Sequence, residues 1–292
     1  MNTSSSLIAS LLAASATALV TLAAPAARAD EPPRLADQHF TIDPVSDISL
    51  TGGGAGVTVL LSLILSTGEI KPSPIVPGDR SRLLGIDDIA VRQTLDPHAA
   101  TYSTVGLWTA VGFAAVDPFL SATRDGWDAA LVDAVMYAET LSLTEALTDV
   151  TKIAVRRPRP IDYINCTQTT ASPLTGSCGS TDVELSFFSG HAATVSAITA
   201  TATYLAFTRS PHTARPWITL GIGTLLTSFV SYERVRSGNH FPTDVLAGAA
   251  AGAMVGILVP HLHRHHLDTS SVWVGVQPLP GGAGLVLQSA GF

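Results

Sequence analysis

Charge is scarce in this chain. Only 13% of its 292 residues are Asp, Glu, Lys or Arg, about half the share of an ordinary soluble domain. Acids outnumber bases, for a formal net charge of −7, which gives no sign of nucleic-acid binding. Aromatics make up only 6%, so helices here must be built from Ala, Val, Leu and Thr. The two cysteines, Cys166 and Cys178, stand in a C-x₁₁-C spacing without nearby ligand partners, which argues against a cysteine metal centre. No internal repeat divides the chain, and its length suits one sizeable core. Apolar residues are plentiful: 46% of the sequence is hydrophobic and the mean hydropathy is +0.35.

Residues 1–29 read as a secretory leader. Leu7 to Pro25 is apolar, and Ala27-Arg28-Ala29 offers a small-x-small cleavage site before Asp30, although Asn2 to Ser6 lacks Lys and Arg. An uncleaved membrane anchor is the other reading; either exports the chain. An oxidising compartment would let Cys166 and Cys178, which share a polar loop, form a disulfide. Residues 30–47, with Pro32-Pro33, read as a linker, residues 48–266 as the main domain and residues 267–292 as a tail. Apolar runs predict helices over Ile48–Thr67, Tyr102–Leu120 (broken near Asp117-Pro118), Trp127–Val155, Gly190–Phe207, Trp217–Tyr232 and Pro242–Pro260, with a short helix near Leu83–Thr94. Gly248, Gly252 and Gly256, spaced by four, mark a close-packing face. Asp128, Asp133, Glu139, Glu145 and Asp149 read as a solvated face of the third long helix, not as a catalytic pair. In the tail, Val272–Gln277 and Gly284–Gln288 alternate about a Pro278–Gly282 turn, which predicts a β-hairpin.

The chemistry concentrates in Ser231–Asp244, SYERVRSGNHFPTD. His240 and Asp244 are four apart and would share a helix face. Pro242 suits a first helical position, and Asp244 then falls in the first turn, where the helix dipole favours a carboxylate. His240 stands at the helix start, where backbone N–H groups converge and an anion is welcome. Alone, this stretch reads first as an exposed loop histidine beside an ordinary N-terminal aspartate. Two other stretches change that reading. Ser189-Gly190-His191 opens a second helix, with Ser189 as N-cap and Gly190 allowing close approach of an anion. Lys152 and Arg159 lie seven apart in TKIAVRRPRP, beside Arg156 and Arg157, where prolines must end regular helix.

Together the three stretches resemble the type 2 phosphatidic acid phosphatase (PAP2) and vanadium haloperoxidase superfamily. Its pattern is Lys, six residues, Arg-Pro; then Pro-Ser-Gly-His; then Ser-Arg, five residues, His, three residues, Asp. The match runs from about Leu131 to Pro260 and fills Lys152, Arg159-Pro160, Ser189, Gly190, His191, Arg234, His240 and Asp244 in order. Phe188 stands where the pattern has proline. Glu233 stands where it has serine, and would pair with Arg234 and weaken its grip on phosphate. The resemblance implies an all-α six-helix bundle, here with the small C-terminal hairpin. It also implies a phosphatase acting on phosphomonoesters, lipid phosphates foremost, without a metal or other cofactor. Lys152, Arg159, Arg234 and the backbone at Ser189 and Gly190 would hold the phosphate. His240 would attack phosphorus, Asp244 would fix its tautomer, and His191 would protonate the leaving group and then activate water.

Rival readings share the same residues. A haloperoxidase would hold vanadate at His240, and an inactive headgroup binder would keep the cage without turnover. A hydrolase using Ser189 lacks the Gly-x-Ser-x-Gly elbow. His261, His263, His265 and His266 could bind a transition metal, but read more simply as a polar helix end.

The expected setting is the cell envelope, membrane-associated with the site facing the periplasm; a soluble periplasmic phosphatase is the alternative. Basic ends at Arg209–Arg215 and Arg264 suit the cytoplasmic side and put the motifs on the other. A cleaved leader conflicts with this, because three crossings after Asp30 would carry Lys152 inside, away from His240. Which apolar segments cross stays open at this point.

Overall fold

The structure, a computed structural model, describes residues 35–37, 39–70, 73, 80–81, 83–165, 185–264, 271–279 and 282–290. The leader, Cys166 with Cys178, and His265 with His266 lie outside the described residues. The fold is all-α, and the long helices among the described residues are α1 (Pro44–Ser66), α3 (Ala99–Asp125), α4 (Trp127–Val155), α6 (Gly190–Arg209), α7 (Arg215–Arg236) and α8 (Pro242–His263). Two short helices, α2 (Gly85–Arg92) and α5 (Pro160–Asn165), lie in the connections. Strands β1 (Leu35–Ala36) and β2 (Thr41–Ile42) pair before α1, and β3 (Ser271–Leu279) pairs antiparallel with β4 (Gly282–Ala290), Trp273 opposite Gln288. That is the expected tail hairpin, with longer strands than the alternation marked.

Local chemistry sets the helix ends. Asp43 caps α1 by accepting from the Val45 N–H at 2.9 Å, so the helix begins inside the stretch read as linker. Phe40 in that stretch is fully buried, because it packs under the guanidinium of Arg209. Gly126, at φ 91°, makes the tight corner between α3 and α4. Pro118 does not break α3; the helix runs through it to Asp125.

The long helices alternate in direction. The C-terminal ends of α1, α4 and α7 therefore share one end of the bundle with the N-termini of α3, α6 and α8. Leu61 and Leu65 of α1 pack with Ile153 of α4 there. Lys152 and His240 thus share an end, as expected of motifs that face one side. Between the ends, Met136, Tyr137, Val195, Leu205, Val230 and Val259 fill a common core.

Three acids expected on a solvated face of α4, Asp133, Glu139 and Asp149, are instead buried. Asp133 is completely inaccessible and accepts from Arg209 at 2.6 Å and from Ser121 Oγ at 2.6 Å; Arg209 also reaches Asp37 at 2.5 Å. Nearby, Asp117 accepts from Tyr137 Oη and from Arg215, each at 2.9 Å. This polar knot ties the bundle at the end away from the three motifs. Glu139, the second buried acid, points toward α1 and α8. Periodicity alone gave no sign that α6 and α7 would bring arginines to meet these acids.

Helices α6 and α8 touch through their backbones. A Cβ at Gly248, Gly252 or Gly256 would collide with the carbonyl oxygens of Ser189, Ala193 and Ala197 respectively. Gly252→Leu is therefore expected to drive the two helices apart. Overpacking of this kind costs about 1–3 kcal/mol or more, and turnover should fall with it, because α6 opens on His191 and α8 follows His240. A variant that melts with the wild type would contradict this.

The outer surface is apolar. Val59, Leu63, Trp108, Phe119, Trp217, Leu225 and Leu262 are all exposed, far more apolar surface than a soluble monomer presents. Among the described residues three helices, Pro44–Ser66, Ala99–Asp125 and Pro242–His263, are long and apolar enough to cross a membrane. The bundle is membrane-associated.

Candidate active site

The three motifs converge at one end of the bundle. Helix α4 stops at Val155 because Arg156 adopts a left-handed conformation, φ 51°. The chain then turns, and the Arg159 N–H is fixed by Asp162 Oδ2 at 2.8 Å. The Arg159 side chain is nearly buried and donates to Asn239 Oδ1 at 2.6 Å, which places the guanidinium beside the chain leading into α8. Lys152, in the last turn of α4, lies 3.9 Å from Asp149 and the same distance from where a Gly190 side chain would begin.

Ser189 caps α6, its hydroxyl accepting from the Ala192 N–H at 3.4 Å. Its own N–H is spent on the Asp244 carbonyl oxygen at 3.1 Å. Ser189 therefore aligns α6 with α8, and the first-turn amides of Gly190 and His191 are the ones left for an oxyanion. His191 Nε2 lies 3.5 Å from Thr104 Oγ1 on α3.

His240 sits before α8, only 2% exposed. Its Nδ1 lies 2.7 Å from the Ser186 carbonyl oxygen. A carbonyl can only accept, so Nδ1 carries the proton and Nε2 holds the free lone pair. Arg234 Nη2 stands 3.4 Å from that Nε2, and its Nη1 is 3.5 Å from Ser103 Oγ. The Arg234 Nε is buried without a hydrogen-bond partner. The expected pairing of Glu233 with Arg234 is not found among the described residues; neighbours on a helix point about 100° apart.

Asp244 is fully buried and does not bond His240 directly, the closest approach being 4.0 Å from Nδ1. It accepts from the Ser186 hydroxyl, from the Phe241 N–H at 2.8 Å and from Arg157 Nη1 at 2.5 Å. The tautomer of His240 is thus set by the Ser186 carbonyl, and Asp244 acts one residue removed, by holding Ser186. Arg157 also donates to Asp87 Oδ2 at 2.8 Å and to Thr243 Oγ1 at 2.8 Å, and lies 4.0 Å over the Phe241 ring. Asp87, on α2, accepts in addition from the Thr243 N–H and hydroxyl at 3.0 and 2.7 Å.

Electrostatically the site is a cluster of cations about two histidines. Both His191 and His240 feel Lys152, Arg159 and Arg234. Burial first, and then the cations Arg234, Arg159 and Lys152, hold His240 well below the ordinary histidine value of 6.5. The ring is therefore neutral and nucleophilic at Nε2 in weakly acidic solution. The acid limb that His240 gives kcat/KM is expected well below pH 6.5, once substrate ionisation is corrected for, because kcat/KM reports the free enzyme. Arg234→Gln should move that limb upward by removing a neighbouring cation. A wild-type limb at the ordinary histidine value would overturn the assignment.

Every residue expected to contribute is found at this end of the bundle. The sequence reading missed Ser186, Arg157, Asp87 and Asn239. Arg157 resembled a basic helix end, and nothing local to Asp87 or Ser186 distinguishes them from loop residues.

Residues 133–267 match the family model described as the PAP2 superfamily. No curated protein matches the chain in sequence. Among solved structures, the chain is similar to the transmembrane PAP2 type phosphatidylglycerolphosphate phosphatase from Bacillus subtilis, at 20% identity and TM-score 0.43 over 74% of this chain and 94% of that one. It is also similar to the apo form of a bacterial vanadium-dependent chloroperoxidase, at 16% identity and TM-score 0.42 over 61% of this chain and 48% of that one.

Proposed function

Because residues 133–267 belong to the PAP2 superfamily, we propose that this chain is a membrane phosphatase that hydrolyses phosphomonoesters through a phosphohistidine at His240. The observation that carries this reading is the buried, neutral imidazole. Its proton is committed to the Ser186 carbonyl, and Arg234 stands beside its free nitrogen.

A phosphomonoester dianion entering the site would meet Arg159, Arg234 and Lys152, with the arginines suited to paired contacts on the non-bridging oxygens. The amides of Gly190 and His191 add donors at the start of α6. His240 Nε2 attacks phosphorus as the bond to the leaving oxygen breaks. His191, whose pKa burial and the neighbouring cations hold at about 3 in the free site, takes up a proton as the phosphate dianion offsets those cations and passes it to that oxygen. The positive charge that develops on His240 is stabilised through Nδ1–H by the Ser186 carbonyl and, at 4.0 Å, by the Asp244 carboxylate. Neutral His191 then takes a proton from water, which attacks the phosphohistidine and releases phosphate.

Lipid phosphates are the substrates favoured, because the site lies at the end of helices whose outer faces are apolar. A headgroup can then enter while its acyl chains stay beside α1 and α3. In this reading the site faces the periplasm. The test is phosphate release by the full chain in detergent, comparing phosphatidate with para-nitrophenyl phosphate in the presence of a chelator. Phosphatidate should be hydrolysed at the higher kcat/KM. Preference for the soluble ester would point to a small-substrate acid phosphatase, and release from neither would remove the reading.

A further inference from the structure

At the end of the bundle remote from His240, three side chains from three helices meet. Asp47 lies in the first turn of α1, Glu139 on α4 and His263 at the close of α8. Their ligand-capable atoms all lie within 4.8 Å of one another. The side chains of Asp47, Glu139 and His263 are only 6, 4 and 9% exposed. His263 belongs to the histidine run after α8, but its partners come from distant parts of the chain.

The imidazole is oriented in a specific way. His263 Nδ1 lies 2.8 Å from the Val259 carbonyl oxygen, so Nδ1 carries a proton and Nε2 is directed at the carboxylates. This is the outer-shell arrangement that fixes a metal-binding histidine, with one ring nitrogen on a backbone carbonyl and the other toward the ion. The Ser46 hydroxyl similarly donates to Asp47 Oδ1 at 3.2 Å. Two carboxylate oxygens, Asp47 Oδ2 and Glu139 Oε2, are buried without a hydrogen-bond partner. Such orphaned acceptors call for a cation or a proton.

Distance and charge separate those two answers. If a second ring proton bridged to the acids, N–H···O contacts near 2.9 Å are expected. The contacts are 3.3 Å to Asp47 Oδ1 and 3.4 Å to Glu139 Oε2. Nitrogen and oxygen ligands at about 2.0–2.1 Å from a tetrahedral ion stand roughly 3.3–3.4 Å apart, which is the spacing found between His263 and each of the two acids. With both acids ionised, a protonated ring would also leave the buried group with one net negative charge. A divalent ion between two carboxylates and a neutral imidazole leaves none.

We propose that Asp47, Glu139 and His263 bind one divalent transition-metal ion of the zinc type, which clasps α1 and α8 to α4 at the face opposite the phosphate site. One nitrogen and two oxygens suit zinc better than magnesium or calcium, which require a larger shell of oxygens. The ion is structural: it takes no part in phosphate chemistry and lies at the other end of the helices that carry it.

The test is elemental analysis of the full chain purified in detergent. About one zinc per chain is expected, with Glu139→Gln and His263→Gln each reducing it at least roughly tenfold. His240→Ala and His261→Gln should retain it, since His261 Nδ1 is engaged with Tyr204 Oη at 3.0 Å. Stripping the ion should lower Tm by roughly 5–10 °C, and added zinc should restore it. A metal-free chain whose Tm ignores zinc, manganese and ferrous iron overturns the proposal, as does zinc that persists in both variants. If neither variant folds, the zinc titration of stripped wild-type protein decides alone. Loss of phosphatase activity in His240→Ala leaves the metal content unchanged, so the catalytic reading and this one fail separately.

Discussion

His240→Ala releases phosphate at least roughly 10⁴-fold more slowly than the wild type, the scale of loss when a nucleophile is removed. This is the largest effect expected in the chain. It follows because no other side chain at the site offers a neutral nitrogen toward the cation cluster with its second proton already committed. The variant also deprives the Ser186 carbonyl of its donor, so some stability is lost with the activity. His240→Asn separates the two effects. Its amide can donate to Ser186, but it has no atom where Nε2 stands. It should melt close to the wild type and remain as inactive as the alanine variant. Rapid-quench labelling with a ³²P-phosphomonoester should show an acid-labile phosphoenzyme in the wild type and in neither variant. Turnover in His240→Asn within tenfold of the wild type would remove the nucleophile assignment.

Arg157→Ala is the second large effect, and it is expected in stability first. One guanidinium bridges Asp244 and Asp87, both with fully buried side chains. Removing it strands two carboxylates, and breaking a buried pair typically costs about 3–5 kcal/mol. Arg157→Lys should recover little, because a single ammonium cannot serve Asp244, Asp87 and Thr243 in the fixed directions that the guanidinium does. Activity should fall in both variants through the displacement of Asp244 and Ser186. Thermal unfolding in detergent, read beside the KM and kcat for para-nitrophenyl phosphate, checks this. An Arg157→Ala protein with unchanged Tm and kcat would show that the bridge is dispensable.

The helices were legible because their apolar runs are long and their ends carry Asp43, Ser189 and Pro242, residues whose local chemistry starts a helix. The phosphate-facing residues were legible because each lies within a few positions of another: Lys152 with Arg159, Ser189 with His191, Arg234 with His240. What escaped was long in sequence and short in space. Asp87 precedes Arg157 by 70 residues, and Asp133 precedes Arg209 by 76. A lone aspartate shows nothing of a partner that far along the chain, so the acids of α4 looked like a solvated face. The role expected for Asp244 shifted for a related reason. Four-residue spacing brings it near His240, but His240 lies before the helix begins, and there the backbone of Ser186 takes the place beside the ring.

The contact between α6 and α8 sets how substrate preference can change. At that seam the separation is fixed by main-chain thickness, because glycines of one helix rest on carbonyls of the other. The seam acts as a caliper: it fixes the spacing of the elements that carry the two histidines, and ordinary side-chain substitution cannot adjust it. Adaptation to longer, bulkier or more polar esters must therefore happen on the opposite wall, where Ser103 and Thr104 of α3 approach Arg234 and His191 through exchangeable side chains. A library confined to that wall would vary what is hydrolysed while sparing how it is hydrolysed.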